Sequence, residues 1–215
     1  MGRTGWCAVL AVAVAGCAPT VQDRVRDYND DGVFLYERGS YDRARASFEA
    51  ALALQPNDPN LLFNVGQCYD NLGRYDRAET FYNECLQRVP DHAACRHALT
   101  VLLDRQGRRA EAFQKVEAWL ASRPRLAAAY VEDGYLWYRQ GDLRRAQGRL
   151  YQALELDPRD VRALTELAQV YEDLHWPDRA VVLYERVLDY SPHYPGVEQR
   201  LSELRAQGVG RPRRD

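Results

Sequence analysis

The sequence predicts an all-α fold: an α-solenoid of five 34-residue helix-turn-helix repeats, closed by a C-terminal capping helix. Three series of residues carry that expectation. Prolines stand at Pro56, Pro90, Pro124, Pro158 and Pro192, each 34 positions after the last. Alanines keep the same interval at Ala44, Ala78, Ala112, Ala146 and Ala180. Glycines follow it at Gly39, Gly73, Gly107 and Gly141, and His175 takes the fifth place. Proline supplies only 10 of 215 residues, so five at one phase define a period.

Each mark has a physical role. One helix pair cannot bury its apolar face alone, so pairs stack. The glycines end each first helix in a turn where a side chain would obstruct. The alanines let the second helix approach the first, and Gly32, Gly66 and Gly134 do the same from the other side, with Thr100 and Ala168 as small substitutes. The prolines stop each second helix. The expected helices run over 21–37, 42–54, 59–71, 76–88, 93–105, 110–122, 127–139, 144–156, 161–173 and 178–190. Phe48, Tyr69, Tyr82, Trp137 and Tyr171 fall on helical faces and are assigned to the core. Thr20 and Asp23 form a capping box at the start of the first helix. The repeats therefore span 21–194, in units of about 25–58, 59–92, 93–126, 127–160 and 161–194. A capping helix over 195–207 turns Val197, Leu201 and Leu204 to the last unit. The polar tail 208–215 is expected to be disordered.

The second unit, LLFNVGQCYDNLGRYDRAETFYNECLQRVP (Leu61 to Pro90), shows the pattern best. Leu62, Gly66, Tyr69, Gly73, Tyr75, Ala78, Tyr82 and Pro90 resemble the tetratricopeptide repeat, and the resemblance extends from Val25 to about Tyr194. It implies a right-handed solenoid whose concave groove binds a peptide or helix of a protein partner. Carried over place by place, the groove draws Asn29 and Tyr36 from unit one, and Phe63 and Gln67 from unit two. Unit three gives His97 and Val101, unit four Tyr135, Tyr138 and Arg139, and unit five Gln169. The clamp by which some members hold a carboxylate needs basic residues at a place occupied here by Asn29, Phe63, His97, Val131 and Thr165, which argues against that ligand class.

Before the repeats, Trp6 to Gly16 is an uncharged run of eleven residues after Arg3. A membrane-spanning helix needs about 20 apolar residues, so the run reads instead as the apolar part of an export signal. Val14-Ala15-Gly16-Cys17 resembles the bacterial lipobox, which implies a signal peptide over 1–16, acylation of Cys17, and a linker of only 17–20 to the domain. Three residues from Ala18 to Thr20 reach roughly 10 Å. Ala13-Val14-Ala15 is also a site for ordinary signal peptidase. With acylation, the expected place is the periplasmic side of an outer membrane, and the lipid chains make the membrane itself a binding partner.

The formal net charge of -2 argues against nucleic acid as a partner, since phosphate neutralisation needs a basic excess. Eleven helices use up the chain, and no phosphate loop, HExxH, GxSxG or paired-carboxylate signature appears; neither catalysis nor a cofactor is expected. His92, Cys95 and His97 stand together in HAACRH, but helical phase turns His97 away, so no metal site is assigned. Cys85 and Cys95 lie on consecutive helices of adjoining units. An oxidising compartment permits a disulfide there, but two buried thiols are the favoured reading. The expected function is a non-catalytic adaptor in envelope or secretin and pilus assembly; the alternative is a structural subunit that self-associates through its outer surface.

Overall fold

A computed structural model describes residues 19–209. Within them, eleven α-helices follow one another without a strand: α1 (Val21–Glu37), α2 (Tyr41–Leu54), α3 (Pro59–Asn71), α4 (Tyr75–Arg88), α5 (Ala93–Arg105), α6 (Arg109–Ser122), α7 (Ala127–Arg139), α8 (Leu143–Leu156), α9 (Val161–Asp173), α10 (Pro177–Tyr190) and α11 (Val197–Ala206). The first helices of the five units begin and end where the period places them. The second helices start one residue earlier than expected.

Side-chain caps fix the starts. Thr20 and Asp23 form the reciprocal capping box. Asp58, His92 and Asp160 recur at the same phase and each accepts backbone N–H groups of the following helix. The turns within units hold one left-handed residue each, with φ from 71° to 85° at Gly39, Gly73, Gly107 and Gly141; a Cβ at any of the four would meet nothing within 4 Å, so the backbone conformation and not an obstruction calls for glycine. His175 takes the same conformation at φ 61° despite its side chain. A non-glycine residue there costs about 1–2 kcal/mol, which the fixed length of the repeat imposes.

Ala44, Ala78, Ala112, Ala146 and Ala180 are all fully buried between the paired helices. The facing glycines are as restrictive. A Cβ on Gly32 would fall 2.5 Å from the Phe48 ring, one on Gly66 2.6 Å from Tyr82, and one on Gly134 2.8 Å from Leu150. Each bulky side chain of a second helix thus rests on the bare backbone of its first helix. Phe48, Tyr69, Tyr82 and Tyr171 are buried as assigned. Trp137 is not: it is only half-buried on the outer surface, packed against Phe113 and beneath the Arg145 guanidinium.

The stack ends as a solenoid should. Val197, Leu201 and Leu204 of α11 are buried against unit five. The helix starts at Val197 rather than Pro195 because Gly196, at φ 78°, is left-handed. No helix among the described residues is long and apolar enough to cross a membrane. The signal segment with Cys17, and the tail from residue 210, lie outside the described residues.

Candidate binding groove

The first helices α1, α3, α5, α7 and α9 line the concave side, and a regular ladder of polar contacts joins the first four of them. Asn64 donates to Asn29 (3.3 Å), Asn71 to the Tyr36 hydroxyl (2.8 Å), and Arg139 to Asp104 (2.8 Å); Arg105 pairs with Asp70, and His97 with Glu132 (3.1 Å). Every rung spans 35 residues. That separation is one repeat plus one residue, which places the two side chains opposite each other on neighbouring first helices. The rungs tie units one to four together from the groove side, while the apolar core ties all five from within.

Half of the expected groove residues converge. Tyr36, Phe63, Gln67, His97 and Val101 line a single cleft of about 540 Å³ together with Asp70, Asn71, Tyr82, Ala93, Ala94, Ala98 and Arg162. Its floor is apolar, and Gln67, Asn71 and Asp70 stand at its edge. Asn29 lies outside it, in a recess shared with Gln22, Arg26 and Asn60. Tyr135 packs edge-on against the His97 ring at 5.4 Å. Tyr138 is taken up by burial and by Asp173, which push its phenol up to about 12. Arg139 is spent on Asp104. Gln169 stands exposed on α9, apart from the cleft.

Beside the cleft sits a charged cluster. Arg162 Nη2 lies 2.7 Å from Glu132 Oε1 and 3.1 Å from Glu166 Oε1. His97 Nδ1 is 3.1 Å from Glu132 Oε2 and 3.0 Å from Arg162 Nη2. A protonated Nδ1 donates to Glu132, and a bare Nδ1 accepts from Arg162, so the imidazole's proton selects between two arrangements. Burial works to raise Glu132, but Arg162 and His97 outweigh it and hold the carboxyl low. Glu166 goes the other way. Burial pushes it up to about 8 against the pull of Arg162, and its Oε2 is enclosed without a donor among the described residues.

Beneath Phe63 and Leu62, Cys85 and Cys95 form a disulfide with Cα atoms 6.6 Å apart. This corrects the reading of two buried thiols: the end of α4 and the start of α5 bring the sulfurs together across the unit boundary. Cys68 keeps its thiol, which burial pushes up to about 12. The grouping in HAACRH also differs from expectation. His97 turns to Glu132, while Cys85 joins His92 and Cys95, their ligand atoms within 4.8 Å. Metal binding by cysteine needs thiolates, and the disulfide uses both.

Tyr82, Ala93 and Ala98 were missed as cleft residues. Ala98 carried a signal: its place holds Asp30, Asn64, Glu132 and Glu166 in the other units, so unit three alone leaves that place empty of bulk. The same register marked Glu132 and Glu166 as acids on an inward place.

Two family models described as tetratricopeptide repeat match residues 35–102 and 133–195, together more than half of the chain. Human protein O-mannosyl-transferase TMTC3 is 28% identical over 183 residues, covering 78% of this chain and 20% of that protein. The TPR repeat-containing protein MJ1428 of Methanocaldococcus jannaschii is 23% identical over 171 residues, 75% of this chain and 30% of its own. The chain thus spans under a third of either relative, and transferase is said of the human protein alone. The crystal structure of TTC0263, a thermophilic TPR protein of Thermus thermophilus, superposes with a TM-score of 0.67 at 25% identity over 87% of this chain and 100% of that one. With the 34-residue period, the left-handed turns and the stacked helix pairs, these matches place the chain in the tetratricopeptide repeat family.

Proposed function

We propose that this chain is a membrane-anchored adaptor that catalyses nothing and holds a segment of a protein partner in the cleft between α1, α3 and α5. The tetratricopeptide fold suggests a scaffold for protein–protein interaction, and one observation supports the location: the cleft, apolar at Phe63, Tyr82, Ala98 and Val101 and edged by Gln67 and Asn71. Such a surface suits an apolar side chain flanked by peptide groups, the recurring way in which grooves hold extended or helical segments. The lipobox-like Val14-Ala15-Gly16-Cys17 supports acylation, and with it a place on the periplasmic side of an outer membrane in envelope assembly.

The test has two arms. Intact mass and membrane partition are compared for wild type and Cys17→Ser. A lipid-sized increment on a chain beginning at Cys17, lost with serine, is the expected result; an unmodified chain sinks the anchor. In the second arm, proteins captured from the native envelope are compared between wild type and Val101→Asp, with circular dichroism as the control for folding. A named partner lost with Val101→Asp and kept with Gln169→Ala supports the cleft. Equal capture by all three chains sinks it.

A further inference from the structure

The 34-residue frame gives each surface position its own internal control, because the same place recurs in every unit. On the outer surface of the last two units, three places break the rule. Tyr151 stands where other units carry Glu49, Asn83, Glu117 and Glu185. Trp176 stands where they carry Ser40, Arg74, Arg108 and Asp142. Val182 stands where they carry Ala46, Thr80, Gln114 and Gly148. All three are exposed, at 43%, 43% and 55%. Tyr151 and Val182 flank a pocket of about 410 Å³ between α8 and α10, floored by Leu154 and Leu167, with Arg179 and Arg186 at its rim beside Asp178. Arg186 is held by the Pro158 carbonyl, and Arg179 lies over the Trp176 ring.

A second break lies at the opposite end. The place of Phe34 in α1 is held by Cys68, Leu102, Leu136 and Val170, none of which is exposed at all, yet Phe34 is 49% exposed. The place of Asp27 is held by Leu61, Cys95, Ala129 and Ala163, all buried. Cys95 shows what that face meets, since it is bonded to Cys85 in the preceding unit. The face of α1 that carries Asp27, Asp31 and Phe34 is therefore a unit-contacting face on which no unit sits among the described residues. Its aromatic ring lies under the Arg38 guanidinium at 4.0 Å, with Asp27 and Asp31 on the same face, and the α8–α10 pocket is an apolar hole with Arg179, Arg186 and Asp178 at its rim.

We infer that the chain self-associates head to side, with Phe34 of one copy seated in the α8–α10 pocket of the next and Asp27 and Asp31 facing Arg179 and Arg186. One surface belongs to unit one and the other to units four and five of the solenoid, so the contact is heterologous and propagates from copy to copy rather than closing as a dimer. The groove takes no part in it.

Sedimentation velocity on full-length Cys17→Ser chain tests this. The mass is expected to rise with concentration past that of a dimer, and less so at high salt. Phe34→Asp and Val182→Asp, both at exposed positions, are each expected to be monomers with unchanged circular dichroism. An equimolar mixture of the two retains one intact knob and one intact pocket, and is expected to give a dimer that grows no further. Arg179→Glu with Arg186→Glu is expected to behave as Val182→Asp does. A wild-type chain that stays monomeric, a single variant that keeps the wild-type distribution, or a mixture that stays monomeric each overturns the inference.

Discussion

Reduction of the Cys85–Cys95 disulfide isolates one inter-unit contact without substituting a residue. The bond closes a loop of sequence separation 10 between α4 and α5. A loop of that length restricts the unfolded chain by about 3 kcal/mol near room temperature. Both sulfurs are fully buried, and two thiols need more room than the bond they replace, so reduction adds to the loss. The assay is urea unfolding of the same chain, oxidised and fully reduced, followed by circular dichroism. For a chain of this size the slope is about 2–3 kcal/mol per M, so the midpoint falls by about 1 M. Stability in stacked repeats is a sum over units and their interfaces, so the loss should concentrate at the boundary between units two and three. Hydrogen exchange at the start of α5 reads it there, next to the cleft residues Ala93 and Ala94. Identical midpoints for the two forms, or alkylation of Cys85 and Cys95 in the denatured but unreduced chain, would refute the reasoning.

Gly66→Ala drives a methyl to 2.6 Å from the Tyr82 ring and is expected to cost about 1–3 kcal/mol by overpacking, read as a lower urea midpoint; an unchanged midpoint means that the helices are not in contact there. Arg162→Leu leaves Glu132 buried with only His97 beside it, and loss of one partner of a buried pair costs about 3–5 kcal/mol; thermal melting that matches wild type contradicts the cluster. Glu166→Gln tests the sign of a shift. A carboxyl raised from its ordinary 4.5 to about 8 contributes stability that is complete below its unfolded pKa and is lost as pH rises through 8. The amide removes that loss, so the variant is expected to gain on wild type as pH rises from about 5 to about 8, and parallel melting curves across that window would show that Glu166 is not buried.

Much of the fold was legible because it is periodic. Pro56 and its equivalents, Gly39 and its equivalents, and Ala44 and its equivalents report local needs: a helix stop, a left-handed turn and a close contact. Each holds wherever the unit recurs. The same local logic placed Thr20 and Asp23 as a cap. Trp137 shows where that logic fails. Its phase matches Tyr69 and Tyr171, but its burial depends on Arg145 and Phe113 outside its own helix. The groove was legible as a set of places and not as a site. Asn29, Tyr138 and Arg139 stand at the right places, yet partners about one repeat away take up their polar groups.

By itself the sequence determined the repeat, its five-fold count, the bounds of the first helices and the presence of the capping helix, because these follow from spacing along one chain. The tertiary structure decided which concave residues converge on a cleft, that Cys85 meets Cys95, and that Glu166 is raised while Glu132 is held low. Those outcomes depend on how far each unit rotates on the last, which no residue encodes alone. The rotation is the joint result of bare glycines against rings, the 35-residue ladder and the disulfide, contacts that exist only once the helices are stacked.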